Sequence, residues 1–372
     1  MDNHVKQYHT NPDHVFFAPA RLNLLGTHTS SSGGYTLSLP LDLGITLYLS
    51  ERKDDKIRLW SDQFIEDGVN FLDETIAFHE RFIAVIDKLA HESYPVHKGF
   101  DITIESSIPM NHGFSSSAAL IVCFMGAMIE LNGYEMPKER LLRFANYVDQ
   151  KCSHIPVSFS HQITAIYGEK NYANLIFCQD LDINKALFDF EQYSLIIFNT
   201  NLCPSHLAFT IKERYLQIHE GTKIITRHRP ISSLCEVDYP SFSQLRHQIQ
   251  DKDVLRRIEH VIFENSRVVQ GYDALLIHEY HILGDLMNQS QNALKALFDM
   301  STPEIDFVVE ANRQFNAYGV RMIGPGKGGA VVALYPKDLV PDFTDIKASY
   351  EKRFKRTLDI QTVASSDGFH RV

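Results

Sequence analysis

Apolar side chains recur along this chain with two periods, and each change of period marks an element. Residues 35–50 (YTLSLPLDLGITLYLS) and 56–61 (KIRLWS) alternate or run in β-branched and apolar residues, the pattern of strands. Between 76 and 92 (IAFHERFIAVIDKLAHE) the period becomes helical. Residues 99–109 (GFDITIESSIP) return to a strand that ends in a turn at Pro109. From Ala118 to Leu131 the chain is apolar nearly all round, so the helix predicted there must be buried on most sides. It opens on Ser115, Ser116 and Ser117, good N-terminal residues, and stops at Asn132-Gly133.

Strands and helices continue to mix up to about residue 200. Residues 253–316 are rich in helical pattern, and a pair of strands then flanks a glycine loop at 324–329. The stretch 220–250, with Pro230, Pro240 and many polar residues, commits least. The mixture predicts an α+β fold in two domains, 1–190 and 191–372, with the boundary near 185–195. A chain of 372 residues is long enough for two cores.

Charge narrows the partners. A net charge of -10 argues against wide nucleic-acid or anionic-membrane surfaces, so a small anionic ligand would need a local positive site. The start, MDNHVKQYHT, lacks the apolar core of a secretory signal, and no apolar run reaches the roughly 18 residues of a membrane span. Cys123, Cys152, Cys178, Cys203 and Cys235 are widely spaced without CxxC pairs and read as reduced, packing thiols. A cytoplasmic monomer acting on a small molecule is expected, with no nucleic-acid or membrane partner. The histidines are scattered and show no HExxH or comparable ligand spacing.

Three segments carry candidate chemistry. The first is Asn111-His112-Gly113-Phe114-Ser115-Ser116-Ser117-Ala118-Ala119, between a strand and the buried helix. Glycine followed by small hydroxyl residues lets backbone approach a phosphate, and the helix start offers unpaired N–H groups to the anion. An ordinary serine-capped core helix would look the same. The second is Gly324-Pro325-Gly326-Lys327-Gly328-Gly329. A strand (Ala330 to Tyr335) follows where a Rossmann helix would begin, and Lys327 precedes Gly instead of the Ser or Thr of a Walker A loop. A hairpin, plain or with its tip against another backbone or a ligand, fits better. The third is Ala18-Pro19-Ala20-Arg21-Leu22-Asn23-Leu24-Leu25-Gly26-Thr27-His28-Thr29-Ser30, where apolar residues surround one Arg that needs a carboxylate or a ligand.

Taken together, the segments resemble the GHMP kinase superfamily and, within it, the galactokinases. Residues 18–34 are similar to the signature APGRxNLIGEHTDYxxG, and the 111–119 segment to the phosphate loop PxxxGLSSSAA. Gly319-Val320-Arg321-Met322-Ile323-Gly324 and the glycines after it resemble GxRMTGxGxGG. Similarity continues through Tyr167–Ala173, through the helix Arg256–Arg267 (RRIEHVIFENSR) and through Pro303-Glu304-Ile305-Asp306, and so spans essentially the whole chain. The resemblance implies a ribosomal-protein-S5-like N-terminal domain and a ferredoxin-like C-terminal domain. ATP would lie between them, Mg²⁺ would bridge its phosphates, and a phosphoryl group would pass to a sugar hydroxyl.

Carried over residue by residue, the nucleotide side is kept. Residues 111–117 (Asn111, His112, Gly113, Phe114, Ser115, Ser116, Ser117) match the phosphate loop, and Ser61 falls at a nucleotide contact. Ser117 matches the Mg²⁺-ligating serine, and Asp149 stands where the family has its metal-binding Glu. Arg21 matches the arginine that stabilises the transferred group. The sugar side is rewritten. Glu-His-x-Asp becomes Thr27-His28-Thr29-Ser30, and the family tyrosine of YNxR aligns with Ile211, although Arg214 persists. His161 occupies the catalytic Asp position beside the matching Gln162. Losing those acids makes the pocket more positive and argues against galactose as the acceptor. His161 reads either as a base in place of the Asp or as a structural hydrogen-bonder. The chain is therefore expected to be a galactokinase-like ATP-dependent phosphotransferase acting on a sugar or related hydroxyl. The alternatives are a catalytically impaired relative acting as a nucleotide- or sugar-binding regulator, and a chain that binds neither ligand.

Overall fold

The computed structural model describes residues 1–61, 63, 70–72, 79–109, 113–153, 156–202 and 207–372. Strands β1 (His14–Leu25) and β2 (Tyr35–Glu51) pair antiparallel and form the spine of the first sheet. The alternation read in 35–50 is the pattern of β2, which is long enough to serve three partners. Its first residues pair with β6 (Tyr172–Phe177), its second half with β5 (Phe100–Ser106) and its length with β1. Strands β3 (Ile57–Trp60) and β4 (Asn70–Phe71) extend the sheet beyond β5, and β7 (Asp182–Leu187) extends it beyond β6. The C-terminal strand β12 (His370–Arg371) returns to pair with β1.

The second sheet begins with β8 (Tyr193–Asn199), so the sheets divide between Leu187 and Tyr193. It is antiparallel throughout, in the order β11 (Asp359–Val363), β8, β10 (Ala330–Pro336) and β9 (Gly319–Ile323). β9 and β10 are the hairpin expected around the glycine loop.

In the first half, α1 (Asp2–Tyr8), α2 (Glu80–His91), α3 (Ser116–Leu131), α4 (Lys138–Cys152) and α5 (Phe159–Tyr167) accompany the sheet. The second half holds α6 (Leu207–His228), α7 (Tyr239–Leu245), α8 (Lys252–Leu276), α9 (Tyr280–Ala296), α10 (Pro303–Gln314) and α11 (Thr344–Phe354). α3 is buried on nearly every side, packed against β1, β2 and helices α2, α4 and α5, as its all-round apolar sequence requires. The helical expectation for 76–92 is met over Glu80–His91, while its first residues, 76–78, lie outside the described residues.

One expectation is sharpened and one corrected. Residues 253–316, rich in helical pattern, are three helices. The breaks are carried by His278 (φ 59) and Asp299 (φ 55), left-handed residues that end α8 and follow α9 without glycine. The stretch 220–250 is also more regular than its composition suggests. α6 runs through to His228, and a capping box at Ser233–Glu236 and the Asp238 cap of α7 order the rest. Among the described residues no helix is long and apolar enough to cross a membrane.

Candidate active site

The turn after β5, the start of α3, the end of β1 and the β9–β10 hairpin converge on one cavity of about 770 Å³, a size suited to small ligands. Of the residues singled out from sequence, Arg21, Thr27, His28, Ser30, Gly113 to Ser117, His161 and Ile211 line it. Asn111 and His112 lie outside the described residues. Ser61 is wholly buried and does not line the cavity; it stands next to residues that are not described. Arg214 does not line it either. Its guanidinium donates to the Phe298 carbonyl and to Asp299, and so ties α6 to the segment after α9.

The serine loop and the glycine hairpin meet backbone to backbone. Gly113 has φ +83, and a Cβ there would sit 2.2 Å from the Cα of Gly324, so only glycine fits. The hairpin tip therefore lies against another backbone, the first of the two options beyond a plain hairpin. Ser115 is a left-handed residue (φ 62) with no capping bond, and its hydroxyl is buried without a partner. The helix begins at Ser116, so the serines shape the loop more than they cap it. The Ser117 hydroxyl lies 3.4 Å from Asp149 Oδ2 and donates to it. Gln162 Nε2 donates to the same oxygen at 2.8 Å, and Ser153 donates to the other. Asp149 is completely buried, and burial raises its pKa above the ordinary carboxylate value even though Ser117, Gln162 and Arg81 oppose the shift. Among the described residues no group of three or more His, Cys, Asp or Glu side chains is placed to hold a metal ion.

Arg21, on β1, donates from Nη1 to Ser160 Oγ at 2.8 Å, and its backbone N–H donates to Phe114 O in the serine loop. Its Nε is buried without a partner. Burial lowers its pKa to about 10, so it stays charged at neutral pH. His161, on the first turn of α5, lines the same cavity. Among the described residues nothing hydrogen-bonds its ring, and burial followed by the Arg21 charge holds its pKa well below 6.5. It is a neutral imidazole.

His28 is neutral too. Its Nε2–H donates to the Pro325 carbonyl at 3.0 Å, and the ring stacks on Phe298. Burial and then His260 lower its pKa to about 3, and Nδ1 remains a buried acceptor without a partner.

Several residues the sequence reading did not assign prove central. Glu264, on α8, is wholly buried and anchors the 26–35 loop. Its Oε1 accepts from the Gly26 N–H at 2.9 Å and from Ser290, and its Oε2 accepts from Arg267 Nε. Burial pushes its pKa up, but Arg267, Arg321 and His260 outweigh that and hold it at about 2. The neighbouring Asn265 accepts from the Tyr35 N–H, and His260 donates to the Thr27 carbonyl. Arg321, on β9, reaches the Asn23 and Leu24 carbonyls and Thr27 Oγ1. These groups were visible as parts of the ENxR and GxRM segments; what they hold was not. Tyr215 was missed as well. It stands one helical turn after Ile211 on α6, lines the cavity and meets His28 edge-on.

Comparison with known proteins agrees with this geometry. Residues 80–169 match the model of the GHMP kinases N terminal domain, residues 272–346 that of the GHMP kinases C terminal domain, and residues 2–51 the galactokinase galactose-binding signature. A serine loop meeting a glycine hairpin between two such halves defines the class as GHMP kinases. A galactokinase from Clostridium tetani is 30% identical, with 90% of this chain and 86% of that protein aligned. One from Exiguobacterium sibiricum is 28% identical, covering 99% and 96%. The crystal structure of Lactococcus lactis galactokinase complexed with galactose superposes with a TM-score of 0.92 at 25% identity, covering 100% of this chain and 98% of that one. The mevalonate kinase of Methanococcus jannaschii shares the fold at a TM-score of 0.70 and 19% identity. The chain belongs to the galactokinase family, sugar kinases of the GHMP class.

Proposed function

We propose that this protein phosphorylates a hydroxyl of a neutral sugar with ATP, in the cleft between an N-terminal unit (1–190) and a C-terminal unit (191–372). The observation that carries the reading is the convergence of Arg21, His161 and the loop Gly113–Ser117 on one cavity. Two neutral histidines in the cavity wall favour a neutral polyol over an anionic acceptor.

The residues fit MgATP. Backbone N–H groups at the start of the 16-residue α3 face the cavity where an anion is stabilised. The Ser117 hydroxyl lines the cavity and offers Mg²⁺ a hard oxygen, with the buried Asp149 carboxylate 3.4 Å behind it; the ion takes few protein ligands and completes its shell with phosphates and water. When bound, MgATP supplies the phosphoryl group. Arg21, which lines the cavity and stays charged, would stabilise negative charge on the transferred group. His161 takes the acceptor's proton at a ring nitrogen. Because phosphoryl transfer is mostly positioning and charge stabilisation, a weak base is enough.

The test is ADP release with MgATP and a panel of D-galactose, D-glucose, D-mannose and their amino and acid derivatives. Arg21→Ala is expected to lower kcat by about 10²–10³-fold. No ADP above background across the panel sinks the kinase reading, and calorimetric heat from a sugar without turnover would point to a binding-only regulator.

A further inference from the structure

An arginine buried in a cavity wall ordinarily needs a carboxylate partner. Arg21 is held differently. It is 8% exposed, and among the described residues its guanidinium has one hydrogen-bond partner, the Ser160 hydroxyl, 2.8 Å from Nη1. Ser160 is wholly buried on the first turn of α5, behind the cavity wall. A guanidinium can only donate, so Ser160 Oγ accepts from Arg21 and is left with its own proton to give. Ser158 Oγ, 2.9 Å away, takes that proton. Ser158 is the N-cap of α5 and accepts the Ser160 N–H at 3.1 Å as well. With both its lone pairs used, Ser158 can only donate, to Cys178 Sγ at 4.0 Å or to a ligand, since Ser158 and Cys178 both line the cavity. Every bond in the row Arg21, Ser160, Ser158 therefore has a fixed direction. The turn is also anchored to the first sheet: Thr164 Oγ1 donates to the Ser160 carbonyl at 2.9 Å and meets Ser38 of β2 at 2.8 Å.

We propose that Ser160 is a positioning residue for phosphoryl transfer: its hydroxyl, backed by Ser158, fixes the Arg21 guanidinium in the cavity wall without neutralising it. The inference rests on the sugar-kinase reading and deepens it. A carboxylate in the same place would hold the guanidinium firmly but cancel much of its charge. A hydroxyl leaves that charge for the transferred group. His161 follows Ser160 directly, so one turn of α5 carries both the anchor of the arginine and the proton acceptor.

The experiment is a double-mutant cycle in steady-state kinetics, with MgATP and the best-used hexose among D-galactose, D-glucose and D-mannose. It compares wild type, Ser160→Ala, Arg21→Ala and the double variant. Ser160→Ala is expected to lower kcat about 10–30-fold with both KM values within about twofold. In the Arg21→Ala background the same change should cost less than about twofold, because no guanidinium is left to position. Calorimetry gives a readout apart from turnover. MgADP affinity should stay within about twofold in Ser160→Ala, while affinity for MgADP with aluminium fluoride and the hexose, a mimic of the group in flight, should fall about tenfold. Penalties that multiply in the double variant, an unchanged kcat in Ser160→Ala, or an MgADP affinity that falls as far as that of the mimic would overturn the proposal. If Ser160→Ala does not fold, Ser160→Cys, similar in size but a weak acceptor, takes its place in the cycle under the same criteria. A wild type that turns over no sugar refutes the sugar-kinase reading and this inference with it. Wild-type turnover with multiplying penalties refutes this inference alone.

Discussion

The two walls of the cavity are built from different material. The wall proposed to hold phosphates is mostly backbone: Gly113 pressed on Gly324, N–H groups at the start of α3, and Arg21 tied by its own main chain to Phe114. The wall proposed to hold the sugar is made of side chains on the 21–36 segment, clamped from the second half by Glu264, Asn265, His260 and Arg321. Backbone contacts survive exchange of most side chains, so the first wall should tolerate substitution. Side-chain contacts change with each substitution, and the second wall carries Thr27 and Ser30, joined across the cavity by Ile211 of α6 and His161 of α5. The clamp grips main-chain atoms of Gly26, Thr27 and Tyr35 as well as the Thr27 side chain.

Removing the clamp should have the largest effect. Glu264→Ala leaves Arg267 and Arg321 buried without their carboxylate and strands the Gly26 N–H, which should cost about 3–5 kcal/mol in urea unfolding. If the stability of Glu264→Ala lies within about 1 kcal/mol of wild type, the claim that this carboxylate holds the sugar wall is wrong.

The backbone wall breaks differently. Gly113→Val places a side chain on Gly324 and a β-branched residue at φ +83. Pushing the loop away from the hairpin by about 1 Å should lower kcat/KM by about 100-fold, with the loss appearing in both ATP and sugar dependence. A variant with normal nucleotide affinity would show that the two backbones need not touch.

Much of this was legible in the chain. The all-round apolar stretch after Ser117 reads as a buried helix and residues 35–50 as a strand, although the three partners of that strand appear only in the fold. The breaks inside 253–316 were hidden because His278 and Asp299 adopt left-handed backbone without the glycine that usually announces it. At the site, Arg21 and the serine loop could be read because each sits inside a contiguous motif. Glu264 and Arg321 act on residues more than 200 positions away, and only folding brings them together. Tyr215 escaped because a position-by-position comparison stops at Ile211, whereas a helix presents the same face again one turn later.

Acid should distinguish the walls at smaller amplitude. His28 and His260, with pKa values lowered to about 3 and about 4 by burial, belong to the sugar wall and its clamp. Both are neutral in the folded state, while the unfolded chain protonates them near pH 6.5. Their stabilising contribution is therefore complete above that pH and is lost as pH falls below it. Between pH 6.5 and 5.5 the pair should cost about 2 kcal/mol of unfolding free energy, and His28→Gln should remove about half of that dependence. An unfolding free energy that is flat across this interval would mean that these rings are protonated or exposed in the native protein.

The smallest effect probes whether α6 compensates for Ile211. Tyr215 lines the cavity edge-on to His28, and burial lifts its phenol to about 12, so it offers an un-ionised hydroxyl across the working range. Tyr215→Phe keeps the ring packing against His28 and removes only that hydroxyl. One neutral hydrogen bond is worth about 1 kcal/mol, so sugar KM should rise about fivefold while ATP KM and kcat stay within about twofold. An equal rise in both KM values would place Tyr215 in the general packing of the cleft. No rise in either would leave the sugar wall without a tyrosine ligand, and the hydroxyl once read there would have to be recognised by the residues around Thr27.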